Sequence, residues 1–116
     1  MKKKFLFLGV MLIASLKLLA GNIDYTQIDQ HARQAPVKIQ SDLEKLTKYL
    51  SKPAKNDYER VRAFYTWITD NIAYDVKLFR NYRPSRYQPL SPTDVLKRRR
   101  AVCQGYAELL QEMCRR

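Results

Sequence analysis

Between Asn56 and Ile72 the apolar residues recur at the spacing of one helix face: Val61, Phe64 with Tyr65, Ile68 and Ile72. No other segment sustains such a period, and its i, i+3/i+4, i+7 rhythm predicts a helix with that stripe turned to a core. Asn56 is the expected cap, with Glu59 three residues on. Tyr58, Trp67 and Tyr74 make the same stretch aromatic-rich. Upstream, Ser41-Asp42-Leu43-Glu44 reads as a capping box opening a helix on Leu43, Leu46 and Leu50. That helix should stop before Pro53. Its Lys45, Lys48 and Lys52 read as a solvated face. Ser91 with Pro92 at the first helical position opens a short helix anchored by Val95 and Leu96. A last helix covers about Val102 to Met113, where Cys103, Ala107, Leu110 and Cys114 fall on one narrow face, with Tyr106 and Met113 beside it.

Nothing alternates as a strand should, since Val76 and Leu78 are too short a pattern. The chain therefore supplies helices without the sheet they would pack on. Asn22 to Pro36 is polar, a short helix or an extended lead-in whose Ile23, Tyr25 and Ile28 could dock on a core. Tyr74 to Leu90, with Pro84, Pro89 and four basic residues, reads as a loop. Connections of that length tend to be functional or poorly ordered.

The N-terminus bears on compartment. Lys2, Lys3 and Lys4 precede an apolar run from Phe5 to Leu16, and the small residues Ala20 and Gly21 follow. This is the layout of a secretory signal peptide. The run would span roughly 18 Å as a helix, short of the ~30 Å a bilayer core demands. Cleavage after Ala20 is the expectation, with export to the periplasm or the exterior and no membrane span afterwards. Leu18 three residues before the cut and Lys17 interrupting the run leave an uncleaved anchor as the second reading. No cysteine stands at the cut to take a lipid. The formal charge is +11, from 22 basic and 11 acidic residues; four of the basic ones (Lys2, Lys3, Lys4, Lys17) would leave with the signal, so +7 remains. Such an excess suits anionic partners, although export argues against nucleic acid.

Cys103 and Cys114 are the two cysteines. Eleven residues apart in one helix, they stand roughly 16 Å from each other, beyond the ~7 Å a disulfide allows. Cys103 is the candidate nucleophile. The first turn of a helix offers unpaired amides and a positive dipole end that favour an anion, and the same amides can donate to an oxyanion. Gly105 would leave room for a substrate, and Arg98, Arg99 and Arg100 would add positive potential. A cysteine on an apolar stripe is also commonly just a small buried residue. His31, the one histidine, reads as a surface residue. One histidine and two cysteines at these spacings match no tetrahedral metal set, and no cofactor is implied.

A longer pattern narrows the choice. Arg60, Ala63, Tyr65, Trp67-Ile68, Asn71-Ile72 and Tyr74-Asp75 come first, and Pro92 with Val95-Leu96 follows. Arg99-Arg100-Ala101-Val102-Cys103-Gln104-Gly105-Tyr106-Ala107 then leads to Leu110 and Met113. Together they resemble the transglutaminase-like superfamily, most narrowly its microbial secreted and kyphoscoliosis-peptidase-like members. The resemblance runs from about Asp57 to Cys114 and is most specific around Cys103. It implies an α+β, papain-like fold in which the nucleophilic cysteine, at Cys103, heads a central helix packed on an antiparallel sheet. It also implies acyl transfer or amide hydrolysis through a thioester, with protein or peptide substrates. In that family the histidine and aspartate of the triad follow the cysteine, and no residue after Cys103 here is either. Many relatives carry glycine where this chain has Ala101.

The expected organisation is a signal peptide over residues 1–20, a helical lead-in over 21–55, and over 56–116 the N-terminal part of a transglutaminase-like domain truncated after the cysteine helix. The expected function is that of a truncated, secreted relative, inactive by itself, with the Cys103 stripe facing water where the sheet is missing. Two other readings stay open. One is a non-catalytic, exported basic module that holds an anionic partner through Lys97, Arg98, Arg99 and Arg100. The other is a fragment completed by a second chain.

Overall fold

A computed structural model describes residues 23–116, so the expected signal segment lies outside the described residues. Six α-helices are described: α1 (Thr26–Arg33), α2 (Leu43–Ser51), α3 (Asp57–Asn71), α4 (Val76–Arg80), α5 (Pro92–Arg98) and α6 (Cys103–Arg115). Short 3-10 turns occur at Val37–Ile39 and Pro84–Arg86. Two strands of two residues, β1 (Ala73–Tyr74) and β2 (Arg100–Ala101), pair in parallel, Ala73 opposite Arg100 and Tyr74 opposite Ala101. The architecture is mostly helical with a minimal sheet, so the α+β expectation holds in its coarse form.

The central helix is α3. Asn56 Oδ1 accepts from the Glu59 amide at 3.0 Å, as the sequence predicts, while Glu59 reaches one residue further back, to the Lys55 amide at 2.7 Å. The buried face differs from the predicted stripe. Ala63, Phe64, Trp67, Ile68 and Ile72 are buried, whereas Val61 and Tyr65 are 42% and 53% exposed. This helix has large apolar residues over about half of its circumference, wider than one buried stripe, so its neighbours α1, α2 and α6 select the face. Trp67 ends at the centre of the core, 1% exposed.

The cap of α2 also moves by one residue. Asp42, not Ser41, accepts from the Lys45 amide, at 3.0 Å. The 3-10 turn before it hands the chain over through a bond from the Asp42 amide to Ile39 O. Asp42 is thereby the first residue whose side chain faces the open amides. Leu43, Leu46 and Leu50 are buried as predicted, and the helix ends ahead of Pro53.

The stretch Asn22–Pro36 contains α1, whose Ile28 and Ala32 join the same core as Leu46, Trp67 and Leu109. Ile23 stays exposed. Asp29 ties α1 to α3: it takes Arg62 Nε at 2.8 Å, Arg62 Nη2 at 2.7 Å and the Thr66 hydroxyl at 2.9 Å. The Arg62 hydrogen bonds hold the Asp29 carboxyl below its ordinary value, against a smaller opposing effect of burial. A folded-state value below the unfolded one means stability present above pH ~4 and lost as pH falls through the folded value. Asp29→Asn should therefore cost about 1.5 kcal/mol at pH 7, and the difference from the parent should shrink below pH ~4. Urea titrations at pH 7 and pH 3 measure both; a pH-independent difference would contradict the ion-pair account.

Residues 74–90, read from sequence as a loop, contain α4 and the second 3-10 turn. Asp75 Oδ1 accepts from the Leu78 amide at 2.9 Å and caps α4. A single capped turn with Val76 and Phe79 mostly exposed leaves no apolar period for a sequence reading to detect. Ser91 caps α5 with Pro92 at its first position, and Val95 and Leu96 are fully buried, as predicted.

Candidate active site: a thiol on an apolar groove

Cys103 is the first residue of α6, and the preceding Val102 gives that helix end no side-chain cap. The first amide to find a carbonyl is that of Tyr106, on Val102 O at 3.2 Å. The amides ahead of it are the orphan donors every helix start carries, here beside an exposed thiol. The strand pair fixes the approach to this end. The Ala73 amide donates to Arg99 O and the Asp75 amide to Ala101 O, each at 2.9 Å, so the chain entering α6 is held against the chain leaving α3.

The buried face of α6 is not the predicted stripe. Gly105, Leu109 and Met113 turn inward, while Cys103, Ala107 and Cys114 are exposed and Leu110 is half-buried. The stripe of Cys103, Ala107, Leu110 and Cys114 thus lies on the outward side of α6 among the described residues. Three of its residues, Cys103, Ala107 and Leu110, join Tyr106 as one wall of a groove of about 420 Å³. Tyr65, Ile68 and Thr69 of α3 form the other wall, with Tyr74 of β1 also lining it. Cys114 stands elsewhere, beside Asp57, Arg60, Val61 and Phe64. Both thiols are free.

Two tyrosines frame the site. The Tyr106 hydroxyl donates to Ile72 O at the end of α3, its ring lies 6.2 Å from that of Tyr74, and burial pushes its hydroxyl above the ordinary value. Burial does the same to Tyr87, with the charges of nearby Glu108 and Cys103 adding to the effect. The Glu108 carboxylate accepts from Gln104 Nε2 at 2.9 Å. The groove tyrosines Tyr65, Tyr74 and Tyr106 belong to three separate elements, so the sequence pattern names each without showing that they meet.

Three sequence expectations need correction. Gly105 does not leave room for substrate. It is buried, and a Cβ there would stand 2.6 Å from Ala101 Cβ and 3.2 Å from Val95 Cγ2, so its bareness serves the contact of α6 with β2 and α5. An isolated glycine inside a helical pattern is the signal for such a contact. Nor is the cation run uniform. Arg99 sits at φ 56°, its guanidinium lies over the Trp67 ring at 5.0 Å and donates to Gln40 Oε1 at 2.9 Å, and burial pulls its pKa down. It is part of the packing, which leaves Lys97, Arg98 and Arg100 exposed. His31 is half-buried, not a surface residue. Its ring stacks on Tyr49 at 4.2 Å with Nε2 2.9 Å from Tyr49 O, and it is not among the residues of the thiol groove.

Among the described residues no cluster of histidine, cysteine, aspartate or glutamate could hold a metal ion. Among the same residues no helix is long and apolar enough to cross a membrane.

A family model described as the Transglutaminase-like superfamily matches residues 44–116, from α2 to the end of α6. The kyphoscoliosis peptidase of Mus musculus is 38% identical over 91 residues, covering 78% of this chain and 13% of that protein. The kyphoscoliosis peptidase of Homo sapiens is 35% identical over 103 residues, covering 88% and 15% respectively. The chain thus spans a small part of the length of these relatives. No solved structure matches it.

Proposed function

This chain belongs to the transglutaminase-like superfamily, and we propose that it carries the nucleophile half of an acyl-transfer site, with Cys103 attacking the carbonyl of a protein or peptide amide. The observation that carries this reading is the position of the thiol: exposed, first in α6, at a helix end with no side-chain cap, on the wall of an apolar groove. Thiolate attack forms a C–S bond and moves the carbonyl π pair onto oxygen, where the open first-turn amides can donate to it. Collapse expels the amine and leaves a thioester. A second amine then completes a transfer, or water completes a hydrolysis. The departing amine needs a proton, and the groove wall holds tyrosines and a threonine but no histidine or carboxylate. The papain-like completion of the site, in which a sheet covers the Cys103 face and brings the histidine and aspartate, belongs to this proposal. So do export of the chain and the inactivity of residues 21–116 alone toward unactivated amides.

An activated ester isolates the step these residues can perform. With p-nitrophenyl acetate the leaving phenolate needs no proton, so the protein should gain one acetyl group at Cys103. That label should form about tenfold faster than any at Cys114, be discharged by an added primary amine and be absent from Cys103→Ala. A peptide amide should remain uncut. Mass spectra of the exported protein should also place its first residue at Gly21. Equal labelling of the two cysteines, or peptide cleavage that survives Cys103→Ala, would exclude Cys103 as the nucleophile.

A further inference from the structure

A second cavity, of about 330 Å³, lies beside the strand pair, its wall including Asp75, which follows β1, and Arg100, which opens β2. Arg86 from the second 3-10 turn and Arg98 from the last turn of α5 converge on the same space. None of these three arginine side chains has an ion pair or a hydrogen bond among the described residues. The carboxylate in the wall is committed, since Asp75 Oδ1 accepts the Leu78 amide that caps α4. The basic groove along α2 differs in its guanidinium groups: Arg60 and Arg116 are each paired with a carboxylate, as is Lys45. Lys48 and Lys52, which line it without an ion pair among the described residues, are point charges with no fork.

Three guanidinium groups around one cavity outnumber the single carboxylate in its wall, so on balance they repel one another, and an anion placed among them relieves that repulsion. Guanidinium forks match a carboxylate bidentately, which a lysine cluster does not. The cavity also adjoins the thiol. Arg100 precedes Cys103 by three residues, at most roughly 10 Å of extended chain. Tyr87, in the cavity wall, lies close enough to Cys103 and Glu108 for their charges to act on its hydroxyl. An extended peptide advances about 3.5 Å per residue, so a carboxylate held in the cavity would sit within a few residues of an amide at Cys103.

We propose that Arg86, Arg98 and Arg100 form a subsite for an acidic side chain of the peptide substrate, one to three residues from the amide that Cys103 attacks. The subsite thus rests on Cys103 as the nucleophile and names the substrate class of that same site: peptides with aspartate or glutamate beside the reacting amide.

Iodoacetate and iodoacetamide test it, because they differ in a carboxylate and share one reaction: the thiolate sulfur bonds the methylene carbon and iodide leaves with the bonding pair. The quantity read is the rate of Cys103 alkylation by iodoacetate divided by that by iodoacetamide. The full chain is compared with the triple variant Arg86→Gln, Arg98→Gln, Arg100→Gln. All three side chains are exposed, so the variant should keep the parent's circular dichroism. At low salt the ratio should be about fivefold higher in the parent than in the variant, and the gap should close in about 1 M salt. The Cys114 ratio should be the same in both proteins. Equal Cys103 ratios in the two proteins would overturn the subsite. Failure of the nucleophile reading looks different: Cys103 would then be no faster than Cys114 with the neutral reagent, whatever the ratios.

Discussion

Replacing Trp67 by alanine is expected to lower the unfolding free energy by about 4 kcal/mol, the largest single loss available in this domain. The indole is 1% exposed and lies in the one core that joins α1, α2, α3, α5 and α6. Its removal leaves a cavity that helices anchored on several sides cannot close. It also removes the ring beneath the Arg99 guanidinium, 5.0 Å away. Trp67→Phe separates bulk from polarity. The indole Nε1 is buried with no hydrogen-bond partner among the described residues, so phenylalanine sheds an unpaired donor while keeping most of the ring. Its cost should be about 1 kcal/mol. Urea midpoints at unchanged m report both values. Equal costs for the two variants would mean that ring volume is not what Trp67 contributes. Because Arg99 leads directly into β2, Trp67→Ala should also raise hydrogen exchange at the Ala73 and Asp75 amides, which bond to Arg99 O and Ala101 O.

What was legible in the sequence follows from how local each signal is. The Asn56 and Ser91 caps, the leucines of α2 and the start of α6 near Cys103 depend on residues within one helical turn of each other, and the structure has them. The face of α3 was misjudged because Val61 and Tyr65 satisfy the helical period as well as Ala63 and Trp67 do. Only the neighbouring helices decide between the two sets. The same ambiguity governs α6, where Cys103, Ala107 and Leu110 (i, i+4, i+7) and Gly105, Leu109 and Met113 (i, i+4, i+8) both satisfy the helical period. The inward face is the one with a glycine at the closest approach, because α6 can reach β2 only there. The thiol was therefore identifiable from the residues around it, and the groove and the arginine cavity were not. Their walls join residues that are distant in sequence, Tyr65 with Leu110 in one and Arg86 with Arg100 in the other.

That close approach yields the second large effect, at the site itself. Gly105→Ala should cost about 2 kcal/mol net. The new methyl would meet Ala101 Cβ at 2.6 Å, and neither atom can rotate away, so the strain is of the order of 3 kcal/mol. Alanine's better helix propensity offsets about 1 kcal/mol of it. Ala101 is the nearer obstacle and Val95 Cγ2, at 3.2 Å, the milder one. Ala101→Gly in the Gly105→Ala background should therefore recover most of the loss, although Ala101→Gly alone removes a buried methyl and destabilises. The double-mutant cycle should give a favourable coupling of about 2.5 kcal/mol, the recovered loss plus the roughly 1 kcal/mol that Ala101→Gly costs alone. The same cycle reads the chemistry, because Gly105 lies two residues from the thiol: if α6 lifts from β2 to accommodate the methyl, acetylation of Cys103 should slow in Gly105→Ala and recover in the double variant. Additive stabilities with an unchanged acetylation rate would mean that the helix accepts the methyl without moving. The contact of Gly105 with Ala101 would then have no part in placing Cys103.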